Sequence, residues 1–376
     1  MKKYIAVLLA LVMVLGLAAC GGSKPAESGE KPAETASSVS VAMVTDYGDI
    51  TDQSFNQTTY EACKAYCEAN GLKFSYYKPA SDSDDDRIAS IELAIDEGYN
   101  VIVMPGYAFA GAIAKTAPEY SDVTFIALDV SEFDLTSAGL ETLPANLYSA
   151  VYQEELCGYM AGYAAVKLGY TKLGFLGGMA VPAVVRYGYG FVQGADAAAA
   201  ETGAKVEMKY VYGNQFYGDA DITAYMDTWY AAGTEVVFAC GGGIYSSAAE
   251  AAAKVNAKVI GVDVDQAAQI DGMYGEGMTV TSAMKGLAAT VNTMLGKVVA
   301  GTFEGGKVEN LGLVSAVPAE NYVQIAGSTQ FADGFTQADY EALVADMFAG
   351  KITVSNDIDA EPAVTAITVD YQGNIK

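Results

Sequence analysis

The chain has 376 residues, 52% of them hydrophobic, enough for two ordinary domains. Its formal net charge is −25, from 46 acidic and 21 basic residues. No basic patch is visible, which argues against nucleic acid as a partner, because phosphate binding depends on clustered Lys and Arg. Histidine is absent, which removes His-dependent triads, His general bases and His metal sites together.

The chain opens as an export signal over residues 1–19. Lys2 and Lys3 precede an apolar run from Ile5 to Leu17, shorter than the roughly 20 residues a membrane-spanning helix needs. Leu17-Ala18-Ala19-Cys20 resembles the bacterial lipobox, so Cys20 is expected to carry lipid such as palmitate and to become the mature N-terminus. Residues 20–38, rich in Gly, Ser, Pro, Ala, Glu and Lys, are expected to form a lipidated flexible tether. The mature chain, without Lys2 and Lys3, carries about −27. No other stretch is long and apolar enough to span a membrane. The expected location is the extracytoplasmic face of the cell membrane, held by the lipid.

The rest is organised around Val44 to Gln57. Ser40–Val44 is a short buried strand and Phe55–Asn70 a helix closed by Gly71. The turn between them holds Asp46, Gly48, Asp49, Asp52 and Ser54 at a strand's carboxyl end, where open α/β sheets bind ligands. Ala62, Ala65, Tyr66 and Ala69 are predicted to pack as one face of this helix, and Ile88, Ile91 and Ile95 as one face of the next.

Strands are predicted near Ser40, Lys73, Val101 and Val123, and again near Lys172, Lys205, Glu235 and Lys258. The successive spacings are 33, 28 and 22, then 33, 30 and 23, which predicts two lobes of one topology. Strand and helix in alternation give the fold class α/β, with parallel sheets covered on both faces. Met278 to Ala283 is a further strand, Lys285 to Gly301 a helix, Leu311–Ala316 and Tyr322–Ala326 strands, and Asp339–Phe348 a helix. Ile352–Val354 and Ala366–Val369 close the series as strands. Lobe 1 is expected to hold residues 39–150 plus about 283–312, and lobe 2 residues 151–282 plus about 313–376, with a tail that the sequence allows on either lobe. The chain then crosses between lobes more than once, which makes a hinge.

Several chemistries fail on spacing. The run Ser81 to Asp86 lacks the glycine and the glutamate of a calcium loop, with Arg87 and Leu93 in their places. Cys63 and Cys67, one helical turn apart, cannot easily bond each other, and Cys157 and Cys240 stand alone; all four are expected to be reduced and buried, and no metal site is expected. No nucleophile elbow and no phosphate- or dinucleotide-binding glycine motif occurs, so neither an enzyme nor a cofactor is expected.

The binding candidates sit at strand ends. Asp46 with Ser54 or Asn56 can hydrogen-bond a ligand whose face Phe55 covers, while Asp52 is better placed as a helix cap and Asp49 in an Asx turn. Asp129 directly follows a buried run and needs water or a partner. Gly241-Gly242-Gly243 allows backbone to approach a ligand closely, and Asp263 with Lys285 can make charge-assisted bonds to ribose hydroxyls.

With these residues assembled, the chain resembles the basic-membrane-protein family, the purine-nucleoside receptor lipoproteins of bacterial ABC transporters. The resemblance rests on V-T-D and D-Q-S-F-N-Q within Val44–Gln57, G-Y-N-V-I-V-M-P-G-Y-A-F at Gly98–Phe109 and G-F-L-G-G-M-A-V-P-A-V at Gly174–Val184. G-Y-G-F-V-Q-G at Gly188–Gly194 and V-I-G-V-D-V-D-Q at Val259–Gln266 add to it. It implies a type I periplasmic-binding-protein fold, two doubly wound lobes with the ligand in the cleft, and a partner permease. It also implies that Asp46 and Ser54 meet the base edge, and that Phe55 and Phe216 stack on its two faces. Asp129, Asp263 and Lys285 then hold the ribose, and Gly241 offers backbone. A nucleoside is uncharged at neutral pH and needs no cationic cradle, so it is expected over a nucleotide. A receptor for a sugar or another small polar metabolite is the alternative.

Overall fold

A computed structural model describes residues 39–46 and 48–376. The expected signal peptide, lipidated Cys20 and tether lie outside the described residues. The elements begin with β1 (Ser40–Val44), α1 (Phe55–Asn70), β2 (Lys73–Tyr77), α2 (Asp84–Asp96), β3 (Val101–Pro105), α3 (Ala110–Glu119), β4 (Thr124–Leu128), α4 (Glu132–Ser137) and β5 (Leu147–Tyr152). There follow α5 (Glu154–Lys167), β6 (Lys172–Gly177), α6 (Pro182–Thr202), β7 (Val206–Tyr212), α7 (Ala220–Ala231), β8 (Val236–Cys240), α8 (Tyr245–Ala253), β9 (Lys258–Asp263), α9 (Ala267–Tyr274) and β10 (Thr279–Lys285). The last are α10 (Leu287–Val299), β11 (Lys307–Leu311), β12 (Val323–Ile325), α11 (Gln337–Phe348) and β13 (Ile367–Asn374).

Two sheets result. The first has the order β11-β5-β4-β3-β1-β2, with every pairing parallel. The second runs β12-β10-β9-β8-β6-β7-β13, with only β12 antiparallel to its neighbour among the described strands. Five strands of each sheet follow one order, 5-4-3-1-2 and 10-9-8-6-7, so the repeated spacing in the sequence does reflect two lobes of one topology. The central strands β1, β3 and β8 are buried along their whole length, as sheets covered on both faces require.

The predicted α1 holds in its ends but not in its buried face. Asn56, Thr59, Ala62, Cys63 and Cys67 are buried, whereas Ala65 and Ala69 are exposed and Tyr66 is half-buried. The cysteines act as small apolar residues and turn the packed stripe toward themselves. Cys63, Cys67, Cys157 and Cys240 are all free thiols and buried. Asp52 accepts from the backbone N–H groups of Ser54, Asn56 and Gln57 at 2.9, 2.9 and 3.0 Å, so it does cap α1, from a position before the cap residue Ser54.

The late segments depart from expectation in two places. The strand expected over Leu311–Ala316 lies earlier, as β11, which ends at Leu311 and pairs with β5. β11 is an edge strand whose Lys307 and Glu309 pair with each other at 2.8 Å, so its polar sequence hides it. Ile352–Val354 is not a strand either, but part of an irregular segment laid along α6.

Among the described residues the chain crosses between the sheets three times, at Gln153, at Gly286 and between Leu311 and Val323. The crossings bond to one another: Gln153 N–H donates to Leu311 O at 3.0 Å, Gly286 N–H to Tyr322 O at 2.7 Å, and Tyr322 N–H to Gly312 O at 3.1 Å.

α5 and α6 pack closer than side chains would allow. Gly158 and Gly162 of α5 face the carbonyls of Tyr187 and Phe191, and Gly190 and Gly194 of α6 face those of Glu155 and Tyr159. A β-carbon at any of the four would come within 2.0 to 2.2 Å of a backbone oxygen. This pairing brings Arg186 and Tyr187 of α6 against the start of α5 at Glu154.

Candidate functional site

Strand ends of both sheets line one cavity of about 1070 Å3. From lobe 1 come Asp46 after β1, Gly106 after β3 and Asp129 after β4; from lobe 2 come Gly241 after β8, Asp263 ending β9 and Lys285 ending β10. β1 and β3 flank the point where the strand order reverses, as do β6 and β8, the place where sheets of this kind leave a crevice.

Eight of the nine residues singled out from the sequence, Asp46, Phe55, Asn56, Asp129, Phe216, Gly241, Asp263 and Lys285, line this cavity. Ser54 is placed differently. It is fully buried, stands behind the wall, and donates its hydroxyl to Asp263 Oδ2 at 2.6 Å. Ser54 belongs to lobe 1 and Asp263 to lobe 2, so this bond joins the lobes. Gln266 Nε2, donating to Gln53 O at 3.0 Å, joins them again beside it.

Lys285 is the electrostatic centre. Its Nζ lies 2.5 Å from Asp129 Oδ2, 3.3 Å from Glu154 Oε1 and 3.8 Å from Asp263 Oδ1, and it stands 4.7 Å from the centre of the Phe55 ring. Burial alone lowers the affinity of this amine for its proton, but the charges of Asp129, Glu154 and Asp263 outweigh it and hold the ammonium firmly. Glu154 is also buried, which raises its carboxyl, yet Arg186, whose Nε donates to it at 2.7 Å, and Lys285 bring it below the usual range. Burial pushes Asp129 up to about 6, against the pull of Lys285. Asp129 Oδ1 is buried without a hydrogen-bond partner.

At the other end of the cavity Asp46 accepts from Gly48 N–H at 2.6 Å and from Asn56 Nδ2 at 3.3 Å. Burial raises its carboxyl to about 6, and these two bonds hold it back from going further. Asn56 Oδ1, like Asp129 Oδ1, is buried and unpartnered. A buried acceptor without a partner is costly.

Two aromatic rings line the space, one from each lobe. Phe55 opens α1, and Lys285 sits over its face. Phe216 lies across Gly178 and Gly241, where an added β-carbon would come within 2.5 and 3.1 Å of its ring. Gly241, with φ 156°, is also crowded by the Gly178 backbone, 2.9 Å from where its β-carbon would stand.

Glu154, Arg186 and Tyr187, which donates to Asp263 Oδ1 at 3.2 Å, were not singled out from the sequence. Acids at a helix start look like ordinary dipole partners, and only the crossing at Gln153 and the glycine-packed pair make them buried.

Two lobes of matching topology around a shared cavity have the architecture of solute-binding proteins. Solved structures agree on the fold. A solute-binding protein of an ABC transporter system from Aeropyrum pernix K1 superposes with a TM-score of 0.69 at 20% identity, over 85% of this chain and 94% of that one. One from Conexibacter woesei DSM 14684 gives 0.65 at 22%, over 85% and 99%. The chain belongs to the Bmp family, the PnrA-like substrate-binding proteins of ABC transporters, whose family model matches residues 39–323. Among curated relatives, the ABC transporter nucleoside-binding protein BmpA of Lactococcus lactis subsp. cremoris is 26% identical over 82% of this chain and 88% of its own. Basic membrane protein A of Borreliella afzelii is 26% identical over 79% and 85%. The family and the solved neighbours named here are substrate- or solute-binding proteins rather than enzymes, and the family implies a small-molecule ligand and permease partners. Among the described residues no helix is long and apolar enough to cross a membrane.

Proposed function

We propose that the protein is a lipid-anchored, extracytoplasmic receptor that binds a purine nucleoside between its lobes and delivers it to an ABC permease. The observation that carries this reading is the pairing of two ring faces, Phe55 and Phe216, with a buried charged cluster built on Lys285, all lining one cavity. Stacking a base on an aromatic contributes about 1–3 kcal/mol. Asp129 Oδ1 and the Lys285 ammonium suit ribose hydroxyls, and Asn56 with Asp46 suits the polar edge of a base. The nucleoside-binding name of the Lactococcus lactis relative supports the same ligand class. Lining residues hold two bases, Arg186 and Lys285, both already paired with acids, which favours a nucleoside over a nucleotide. Cys20, in its lipobox setting, supplies the anchor.

Mass spectrometry of small molecules carried through purification, followed by calorimetry with a nucleoside panel, tests this. Recovery of a nucleoside that rebinds supports it. Tight rebinding of a sugar with no nucleoside response replaces it with the sugar reading, which the Asp129, Asp263 and Lys285 cluster also suits. Release of free base from adenosine or guanosine sinks the receptor reading in favour of catalysis.

A further inference from the structure

The wall of the cavity is not confined to the two sheets. Ile358 and Asp359, from the irregular segment between α11 and β13, also line it. This segment lies beyond residue 323, where the family model ends.

The segment is tied down at both ends onto α6. Ser355 N–H donates to Gln193 Oε1 at 2.8 Å, and Gln193 Nε2 donates back to Ser355 O at 3.0 Å. Asp196 Oδ1 accepts from the backbone N–H groups of Thr365, Ala366 and Ile367 at 2.9, 2.7 and 3.2 Å. Arg186, Gln193 and Asp196 recur at helical spacing along α6, so one helix positions both the site residue Arg186 and the strap. Between its two ties the strap carries Asp357, Asp359 and Glu361 and no basic residue. Asp359 N–H donates to Asp357 Oδ1 at 2.9 Å, which fixes the turn that brings Ile358 and Asp359 to the cavity.

Across the described lining residues, eight are aspartates and two are basic, and both bases are paired with buried acids. An anion entering this cavity meets acids and no uncommitted cation among the described lining residues. We propose that the strap Ser355–Ala366 is a charge-selecting rim, which through Asp357, Asp359 and Glu361 admits uncharged or cationic solutes and turns away phosphorylated ones. The proposal rests on the nucleoside reading only for the choice of ligand pair in its first test.

The first test is calorimetry with adenosine and its 5′-monophosphate on the wild type and on Asp357→Asn/Glu361→Gln, two strap acids outside the cavity lining. Adenosine affinity should stay within about threefold, while the monophosphate gains roughly fivefold or more at low ionic strength and loses that gain in high salt. An unchanged monophosphate affinity overturns the proposal, as does wild-type protein that holds both ligands equally. If neither ligand binds the wild type, the nucleoside reading has failed and a second test decides the strap alone. Ile358→Cys is treated with cationic and anionic methanethiosulfonate reagents, beside Thr302→Cys on the remote surface, with wild type giving the background of the buried native thiols. At position 358 the cationic reagent should be favoured about tenfold over its preference at 302, falling when Asp359→Asn is added. Equal preference at the two positions overturns the proposal.

Discussion

Asp129 and Asp263 occupy matching strand ends in the two sheets, and both have left-handed backbone, with φ of 62° and 65°. Both turn a carboxylate oxygen toward Lys285, at 2.5 and 3.8 Å. Left-handed backbone outside glycine is uncommon and stores strain, so a matched pair at the cavity marks a position that packing holds in place. Lys285→Met leaves Asp129, Glu154 and Asp263 facing one another without their shared cation. It is expected to cost about 3–5 kcal/mol of stability, measured by urea unfolding. Asp129→Asn keeps the backbone tolerance and is expected to cost little stability while weakening the ligand at least tenfold. A variant that binds as tightly as wild type would remove Asp129 from the site.

Phe55→Ala should weaken ligand binding by about 1–3 kcal/mol in calorimetry with an unchanged circular dichroism spectrum. Gly178→Ala should act on the other ring. Its methyl would displace Phe216, so affinity should fall although no ligand-contacting side chain is removed. Equal affinity for wild type and Gly178→Ala would mean that Phe216 does not touch the ligand.

Ser54→Ala removes the donor that joins α1 to Asp263 and leaves a buried carboxylate oxygen exposed to that loss. The closed arrangement should be weakened by about 1–3 kcal/mol relative to an open one. Small-angle scattering of the ligand-free variant should then show a larger radius of gyration than wild type. Identical profiles would show that the bond does not govern closure.

Gly162→Val should be among the most damaging single changes far from solvent. Its side chain meets the Phe191 carbonyl, and overpacking of this kind costs typically about 1–3 kcal/mol or more. The loss should also loosen Arg186 from Glu154, so ligand affinity and melting temperature fall together.

Acidity should stabilise this protein over a window where many proteins are indifferent. Burial raises Asp46 and Asp129 to about 6 and Glu155 to about 7, above their ordinary values of 3.8, 3.8 and 4.5. Between those values the native state holds more protons than the unfolded chain, so stability falls as pH rises from about 4 to 7. The melting temperature should therefore climb from pH 7.5 toward pH 5. Below about pH 4 it should drop again as Asp219, held near 2 chiefly by the N–H of Ile222, and Glu154 lose their favourable charge. Glu155→Gln should flatten the climb; an unaltered slope would show that Glu155 is ionised in the fold.

The strand order was legible because each buried strand is a run of Val, Ile, Ala and Phe at a repeating distance from the next. Asp46, Asp129 and Asp263 were legible for a related reason, since an acid at the end of such a run has few other uses. Glu154 and Arg186 were not, because their burial depends on a glycine-packed helix pair and a crossing between lobes that no local pattern announces. β11 escaped because an edge strand can be polar. The strap escaped because its contact with the cavity depends on Gln193 and Asp196, more than 150 residues earlier in the chain.

The three crossings, hydrogen-bonded side by side, behave as a plank rather than as a thread. A single strand would let one half spin freely beneath the other, whereas a plank bends about one line and resists torsion. In any closure about that line, ring, acid and ammonium from opposite halves would meet in the same alignment, and recognition can be divided between two bodies without blurring.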